Sequence, residues 1–307
     1  MTDPEPSPPD FRCGYATIIG EPNVGKSTLM NTLLGQKISI VTNKPQTTRH
    51  RVLGILSAPG HQVIFLDTPG IIKPRYLLQE VMMQFAGAAM QDADVLVFMI
   101  EATNPGTGAD LAHREAFAKL EGLRKPVLLA INKVDLVEKA QLLPVIDFYA
   151  KAYPFREIFP ISAIRADGTA DLVKAVVGLL PFHPPFYPPD IVSEQHERFF
   201  VAEMVREKLF QKLKEEMPYA TTVDVVEFKE RENGKWFVSA EIYVERESQK
   251  GIVIGKGGVM LKEIGRLARK DIEEFLQHPV FLELHVKVRP DWRNDAAWLG
   301  RLGYKAE

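Results

Sequence analysis

An eight-residue stretch with the pattern G-x-x-x-x-G-K-S constrains this chain more than any other feature. It runs from Gly20 to Ser27, between the apolar run Tyr15–Ile19, which predicts a buried strand, and Thr28–Leu34, which predicts a helix. Glycines allow a tight turn whose N–H groups converge on one anion, and the helix N-terminus adds partial positive charge. The stretch therefore predicts a phosphate-binding loop, with Lys26 reaching the β- and γ-phosphates and Ser27 binding Mg²⁺. A Gly-rich strand-to-helix turn with an accidental lysine is the alternative.

Composition narrows the class of protein. A length of 307 residues predicts two domains, and 46% hydrophobic residues suffice for a sizeable core. The formal net charge of −2 says nothing about nucleic acid, so any basic surface must be local. The single cysteine, Cys13, excludes an internal disulfide and fits a reducing cytosol. No apolar run is long enough to span a membrane. Residues 1–12 are predicted to form a disordered leader rather than a signal peptide.

Apolar runs alternate with helical patterns over residues 13–182, which are predicted to form one domain. This alternation predicts an α/β fold, with a mainly parallel sheet covered by helices on both faces. The predicted strands are Tyr15–Ile19, Arg51–Leu56, Gln62–Leu66, Asp94–Ile100, Val127–Ile131 and Glu157–Ile161. The predicted helices include Leu77–Met90, Ala109–Glu121, Ala140–Ala152 and Thr169–Leu180. The short turn 57–61 makes the second and third strands a hairpin.

Two further motifs follow predicted strands, where ligands of such sheets bind. Asp67-Thr68-Pro69-Gly70 offers a carboxylate for the Mg²⁺ shell and the Gly70 N–H for the γ-phosphate. Asn132-Lys133-Val134-Asp135 offers Asp135 as acceptor for two guanine donors that adenine lacks, with Asn132 near the base edge and the Lys133 stem over the ring. Ser162-Ala163 is predicted to close the base site. Taken alone, the first of these motifs is usually a turn.

The polar segment from Gln36 to His50 predicts a nucleotide-sensitive loop, here called switch I. It includes Gln46, Thr47, Thr48, Arg49 and His50. A threonine in this segment would complete the Mg²⁺ shell while a γ-phosphate is present and release after hydrolysis. Thr48 is favoured and Thr47 is the alternative, although a Thr-Thr pair could also begin a strand.

The predicted nucleotide-binding residues are Gly20, Glu21, Pro22, Asn23, Val24, Gly25, Lys26, Ser27, Thr28, Asp67, Thr68, Pro69, Gly70, Asn132, Lys133, Val134, Asp135, Ser162 and Ala163. Catalysis is assigned to Lys26, Thr48 and Gly70, and Mg²⁺ binding to Ser27, Thr48 and Asp67.

A proline-rich segment, residues 183–192, predicts a linker to a second domain at 193–290 and a C-terminal tail at 291–307. Helix 194–216 is followed by strands 221–228 and 236–244, a short helix, a G-x-x-G loop at Gly255–Gly258, helix 259–276 and strand 280–288. Glycines there allow a nucleic-acid backbone to approach closely, and six bases against one acid between Lys250 and Lys270 supply phosphate attraction. The predicted RNA-binding residues are Ile254, Gly255, Lys256, Gly257, Gly258, Lys262, Arg266, Arg269 and Lys270. A Gly-rich turn beside a solvated helix is the alternative.

These motifs together resemble the Era family of bacterial ribosome-assembly GTPases, whose second domain is an RNA-binding KH domain of type II. The resemblance rests on the phosphate-binding loop Gly20–Ser27, on Gln46–His50, on Asp67–Gly70 and on Arg289–Asn294. It covers residues 11 to 304. It implies a cytoplasmic, monomeric enzyme that binds GTP or GDP with Mg²⁺. The implied partners are 16S rRNA near its 3′ end and the 30S subunit, with peripheral association at the cytoplasmic face of the cell membrane.

Two departures from the family pattern and one further residue bear on this resemblance. Glu21 stands where the family often has arginine, and Ile72 to Tyr76 depart from its usual second switch. In the wider class, asparagine at the position of Asn23 is associated with a bound K⁺, although Asn23 could equally be a turn residue. Two other functions stay open from the residues alone. A plain RNA-binding protein with a vestigial nucleotide site is disfavoured by the intact motifs, and an ATP-dependent P-loop enzyme is disfavoured by Asp135.

Overall fold

The computed structural model describes residues 10–107, 115–232 and 234–305 of the chain. Contacts between residues divide the chain into two compact units. The first comprises Met1–Ser39, Thr48–Lys73 and Met83–Glu194, and the second comprises Ile40–Thr47, Pro74–Met82 and Gln195–Glu307. Two short segments from the N-terminal half of the sequence therefore belong to the second unit. The sequence patterns did not predict this membership, and the boundaries 13–182 and 193–290 stay predictions.

The first unit is built on a mainly parallel sheet. Its strands are β1 (Arg12–Gly20), β2 (Val52–Ala58), β3 (His61–Asp67), β4 (Val95–Glu101), β5 (Val127–Asn132) and β6 (Ile158–Pro160). Across the described residues their order is β2-β3-β1-β4-β5-β6, and only the β2–β3 pair is antiparallel. This confirms both the α/β prediction and the predicted hairpin. Strand β1 begins at Arg12 rather than Tyr15, because Arg12 and the residues after it already pair with β3.

Helices cover this sheet and supply its core. They are α1 (Lys26–Leu34), α2 (Leu77–Asp92), α3 (Glu115–Ala118), α4 (Lys139–Ala152) and α5 (Thr169–Leu179). Every residue of β5 is buried, which is typical of a parallel strand covered on both faces. One apolar cluster joins Phe98 of β4 and Leu129 of β5 to Tyr149 of α4. Of the predicted helix 109–121, residues 109–114 lie outside the described residues, and the described part is helical only over α3.

The second unit contains a smaller sheet and the predicted G-x-x-G loop. Its elements after residue 195 are α6 (Glu197–Lys212), β7 (Thr222–Lys229), β8 (Trp236–Val244), α7 (Glu247–Ile254), α8 (Val259–Leu276), β9 (Val280–Val288) and α9 (Ala296–Arg301). Strand β8 lies between the other two, antiparallel to β7 and parallel to β9. Alternate residues of β8, namely Val238, Ala240 and Ile242, are fully buried under the helices. The element order is therefore the predicted one.

The segment predicted as a C-terminal tail folds onto the second unit in its described part. Trp292 is fully buried, and its indole N–H donates to the Ala220 carbonyl at 3.0 Å. Leu299 of α9 is buried as well. Within the described residues, no helix combines the length and the apolar character that a bilayer span requires.

Candidate nucleotide site and nucleic-acid interface

The predicted phosphate-binding loop connects β1 to α1. Gly20 is the last residue of β1, and α1 begins at Lys26 after Gly25, whose φ of 103° lies in the region that favours glycine. No side chain caps the N-terminus of α1. Its first N–H groups are therefore directed at the loop, as an anion site requires.

Lys26 lies inside this loop rather than in solvent. Its ammonium donates to the carbonyls of Gly20 at 3.2 Å and Glu21 at 2.8 Å, and the residue is only 6% exposed. Burial lowers the pKa of Lys26 to about 8, against the opposing effect of the Asp67 and Glu21 carboxylates. The cation is thus held where the sequence predicts the β- and γ-phosphates.

Three side-chain oxygens meet at the start of α1. The Ser27 hydroxyl donates to Asp67 Oδ2 at 2.6 Å, and it lies 2.9 Å from the Thr48 hydroxyl. Asp67 is fully buried at the end of β3, and its Oδ1 has no hydrogen-bond partner among the described residues. Burial raises the pKa of Asp67, partly offset by the Ser27 hydrogen bond and the Lys26 charge. A buried carboxylate oxygen beside two hydroxyls is a donor set that fits Mg²⁺.

The geometry separates the two threonines of switch I. Thr48 lies beside Ser27, as favoured, whereas the Thr47 hydroxyl donates to the Lys44 carbonyl at 2.7 Å and is 2.6 Å from the Thr42 hydroxyl. The other predicted residues of switch I have the following surroundings. Gln46 accepts from Gln79, Arg49 is 2% exposed, and His50 stacks on Phe85.

The second motif lies against the loop. A Cβ at Gly70 would be 2.8 Å from the Cα of Pro22, so only glycine allows this approach. The next residue, Ile71, is 4% exposed and belongs to the core cluster of the sheet. Its side chain is therefore unavailable to bind water.

The predicted base site forms where β5 and β6 end. Ser162 Oγ donates to Asp135 Oδ1 at 2.7 Å, and the Asp135 side chain is only 10% exposed. Asn132 joins the two neighbouring loops at this site. Its Nδ2 donates to the Val24 carbonyl at 2.8 Å and its Oδ1 accepts from the Ala163 N–H at 2.9 Å. Asn132 therefore ties the phosphate-binding loop to the 162–163 loop.

Two charged residues at this site were missed by sequence reasoning. Glu101 pairs with Lys133, which orients the lysine stem predicted to cover the base. Arg165 Nε lies 3.6 Å from Asp135 Oδ2. Neither residue stands in a motif, so only its position in space connects it to the site.

The second unit has a groove of about 550 Å³ between α8 and β9. It is lined by Gly258, Leu261, Lys262, Gly265, Arg266, Arg269, Leu282 and Leu284. Four of the nine predicted RNA-binding residues are among them, and the described lining does not include Ile254, Gly255, Lys256, Gly257 or Lys270. The one acid in the basic stretch, Glu263, is paired with Lys212 at 2.6 Å. This pairing leaves the basic edge of the groove without an opposing carboxylate from that stretch.

The leucine floor of the groove was not predicted. Leu282 and Leu284 alternate along β9 and so lie on the same face of the sheet. The alternation was visible in the sequence, but it indicates a strand face without indicating that α8 leaves part of it open. Two apolar residues near the G-x-x-G loop, Ile252 and Val259, are 52% and 67% exposed.

Comparisons with known proteins agree with this geometry. A family profile described as a 50S ribosome-binding GTPase matches residues 15–133, and a KH-domain profile matches residues 216–293. The GTPase Era of Geobacter metallireducens is 50% identical over 96% of this chain and 98% of that protein. The chain belongs to the Era family of GTPases. An Era-like chloroplastic GTPase of Arabidopsis thaliana is 46% identical over 95% of the chain and 69% of that protein.

Solved Era structures have the same fold. An Aquifex aeolicus Era variant bound to GDP·AlF4⁻ has a TM-score of 0.90 at 41% identity, covering 96% of this chain and 99% of that one. Era in complex with MgGDPNP and nucleotides 1506–1542 of 16S ribosomal RNA has a TM-score of 0.91 at 42% identity, with the same coverage.

Proposed function

We propose that this Era-family GTPase binds guanine nucleotide with Mg²⁺ in its first unit and the 3′ region of 16S rRNA in its second. The observation that carries the nucleotide half is the cluster of Ser27, Thr48 and Asp67 oxygens at the N-terminus of α1, with Asp67 Oδ1 lacking any described partner. The Lys26 charge offsets the burial of this carboxylate only in part, and a bound divalent cation would compensate it further.

Each residue has a distinct task in this proposal. Ser27 and Thr48 would bind Mg²⁺, and Asp67 would hold its water shell; the ion would neutralise charge on the phosphate oxygens. Lys26 gives up its contacts to loop carbonyls and binds the β- and γ-phosphates. Gly70 donates its N–H to the γ-phosphate.

Asp135 accepts from guanine N1–H and from the 2-amino group. Its buried carboxylate would lose these partners against adenine, which is how a polar site rejects an analogue.

Intrinsic hydrolysis is proposed to be slow. Many GTPases place a glutamine directly after D-x-x-G to orient the attacking water, whereas Ile71 is packed in the core here. The missing stabilisation would come from K⁺ at Asn23 or from a bound partner. Asn23 has a φ of 66°, so its role in a tight turn remains the competing explanation.

The proposed binding of 16S rRNA is supported by the groove between α8 and β9 and by a related Era structure. The related Era structure contains nucleotides 1506–1542 of 16S rRNA, which belongs to the small subunit. The profile whose description names the 50S subunit matches only residues 15–133. We give more weight to the relative that matches nearly the whole chain, and we propose a role in 30S maturation. Four single-stranded nucleotides would occupy the groove, with bases on the leucine floor and phosphates against Lys262, Arg266 and Arg269.

Further properties implied by the resemblance stay part of this proposal. They are a monomeric state, a cytoplasmic location with peripheral membrane association, and the domain limits 13–182 and 193–290.

A binding experiment tests the two halves separately. RNA of nucleotides 1506–1542 is titrated with the full-length protein in a filter assay, against a scrambled RNA of equal length, and GTP turnover is measured in parallel. We expect preference for the native RNA and turnover that requires Mg²⁺. RNA binding without nucleotide binding would favour the vestigial-site alternative, and equal affinity for both RNAs would contradict the RNA assignment.

A further inference from the structure

Asn31 of helix α1 anchors the beginning of the switch I segment. Its Oδ1 accepts from the N–H groups of Ile38 at 2.9 Å and Ser39 at 2.8 Å, and its Nδ2 donates to the Ser39 carbonyl at 2.7 Å. The backbone at Ser39 is therefore fixed to the helix that follows the phosphate-binding loop. Helix and anchor both belong to the first unit.

This anchor lies on the same face of α1 as Ser27. The two residues are four positions apart in the helix, a spacing that places side chains one above the other. Ser27 donates to Asp67 Oδ2 at 2.6 Å, and Asn31 holds Ser39 one turn further along. The face of α1 that carries a proposed Mg²⁺ ligand therefore continues to Ser39.

The Ser39 hydroxyl is buried without a hydrogen bond. The residue is 3% exposed, and its Oγ has no partner in the described part of the chain. A buried hydroxyl without a partner destabilises a fold, and such groups in native proteins call for an explanation. An alanine would avoid this cost at nearly the same volume.

Asp67 supplies a second buried oxygen without a partner. Its Oδ1 makes no hydrogen bond among the described residues, whereas its Oδ2 binds Ser27. Burial raises the pKa of Asp67, and the Ser39 side chain is among the groups that oppose this rise. Ser39 is therefore near enough to act on the carboxylate, although no hydrogen bond joins the two side chains within the described residues. A hydroxyl oxygen and a carboxylate oxygen in this arrangement can both accept from one water molecule.

We propose that Ser39 is a positioning residue of the Mg²⁺ site. Ser39 Oγ and Asp67 Oδ1 accept hydrogen bonds from the same water of the Mg²⁺ shell and so hold it in one orientation. The inference rests on the proposed binding of Mg²⁺ by Ser27 and Thr48, and it adds a residue that lies outside the sequence motifs.

The chemistry of Mg²⁺ accounts for a second acceptor. The ion dehydrates reluctantly and keeps several waters when a protein binds it. A bound water has two protons to donate, so its orientation is fixed only where two acceptors meet it. Groups that orient the ligands of a metal in this way strengthen its binding without touching it.

The Asn31 anchor also predicts when Ser39 acts. Thr48 is needed only while a γ-phosphate is bound and is released after hydrolysis. Ser39 is fixed to α1 by its backbone, independently of Thr48. It should therefore strengthen Mg²⁺ binding equally in the GDP and GTP complexes.

The test measures how tightly the full-length protein binds Mg²⁺ in each nucleotide complex. Affinities for fluorescent GDP and for the fluorescent non-hydrolysable analogue GDPNP are measured over a range of free Mg²⁺ concentrations set with EDTA. For Ser39→Ala we expect the Mg²⁺ midpoint to rise about tenfold with both nucleotides, on the scale of losing a group that orients a metal ligand. Nucleotide affinity without Mg²⁺ should equal that of the wild type.

Control variants separate this role from a structural one. Ser57→Ala removes a hydroxyl that accepts from Gln62 at 3.0 Å, and should leave the Mg²⁺ midpoint unchanged because Gln62 lies at the opposite end of β3 from Asp67. In urea without nucleotide or Mg²⁺, Ser39→Ala should be at least as stable as the wild type, since its hydroxyl has no described partner to lose. If Ser39→Ala is unfolded, Ser39→Cys carries the test, because a thiol keeps the volume but is a weak acceptor; the same rise is expected.

The outcomes distinguish this inference from the proposed site. Nucleotide binding that is independent of Mg²⁺ in the wild type would overturn the Mg²⁺ site itself. A wild type that depends on Mg²⁺, with an unchanged midpoint in folded Ser39→Ala, would overturn the role of Ser39 alone. A rise confined to GDPNP would contradict an action independent of Thr48. Lower stability in urea, or weaker nucleotide binding in EDTA, would reduce Ser39 to a structural residue.

Discussion

Replacing Asp135 by asparagine should change the preferred base from guanine to xanthine. Ser162 Oγ donates to Asp135 Oδ1 at 2.7 Å, and an asparagine Oδ1 can accept the same hydrogen bond. The new amide nitrogen would then occupy the place of Oδ2 and donate toward the base. Guanine presents donors there, whereas xanthine presents a carbonyl at its 2-position.

The size of the effect follows from the burial of the carboxylate. The Asp135 side chain is 10% exposed, and Arg165, 3.6 Å away, is itself 66% exposed and competes weakly. Each hydrogen bond from the base to this carboxylate should contribute about 1.5–3 kcal/mol. Losing the bond to the 2-amino group, which would then face another donor, weakens GTP binding by about one to two orders of magnitude, at 1.4 kcal/mol per tenfold.

The assay is displacement of a fluorescent nucleotide by GTP and XTP. Asp135→Asn should lose GTP affinity and gain XTP affinity, with an unchanged circular dichroism spectrum. Adding Ser162→Ala should reduce the gain for XTP, because the donor that orients the amide is then absent. A variant that keeps full GTP affinity, or loses it without gaining XTP affinity, would refute Asp135 as the reader of the base.

Three further predictions use other parts of the chain. Gly258→Asp should abolish RNA binding and leave nucleotide affinity intact, because a carboxylate there repels phosphate; unchanged RNA affinity in a filter titration would remove the groove assignment. A Cβ at Gly258 would meet open space, and circular dichroism checks the backbone strain that a side chain would cause at its φ of 78°. Gly255→Asp is a poorer probe, since a Cβ there would lie 2.7 Å from Met260 Cβ and disturb the fold itself. GTP turnover should be faster in K⁺ than in Na⁺ at equal ionic strength, and Asn23→Ala should lose this difference; equal wild-type rates in both salts would leave RNA or a protein partner as the activator. Trp292→Ala should destabilise the second unit by about 3–5 kcal/mol in urea denaturation, whereas a change below about 1 kcal/mol would mean that the C-terminal segment packs only loosely.

Sequence alone was sufficient wherever function depends on consecutive residues. The phosphate-binding loop follows from Gly20–Ser27 because a tight turn and a helix N-terminus are local structures. The loops after β3 and β5 were placed correctly because the carboxyl ends of parallel strands meet at one edge of a sheet. The fold class followed from the alternation of apolar runs with helical patterns.

Tertiary structure decided what depends on residues far apart in the chain. Adjacent threonines have the same chemistry, and only folding brings Thr48 to Ser27 while Thr47 turns to Lys44. Arg206 would be assigned to solvent from its sequence, yet it is buried against the Thr47 carbonyl. Asn132 binds two loops, at Val24 and at Ala163, for the same reason. A periodic pattern gives the face on which a side chain lies, but its partner comes from another part of the sequence, and that pairing is fixed only when the whole core packs.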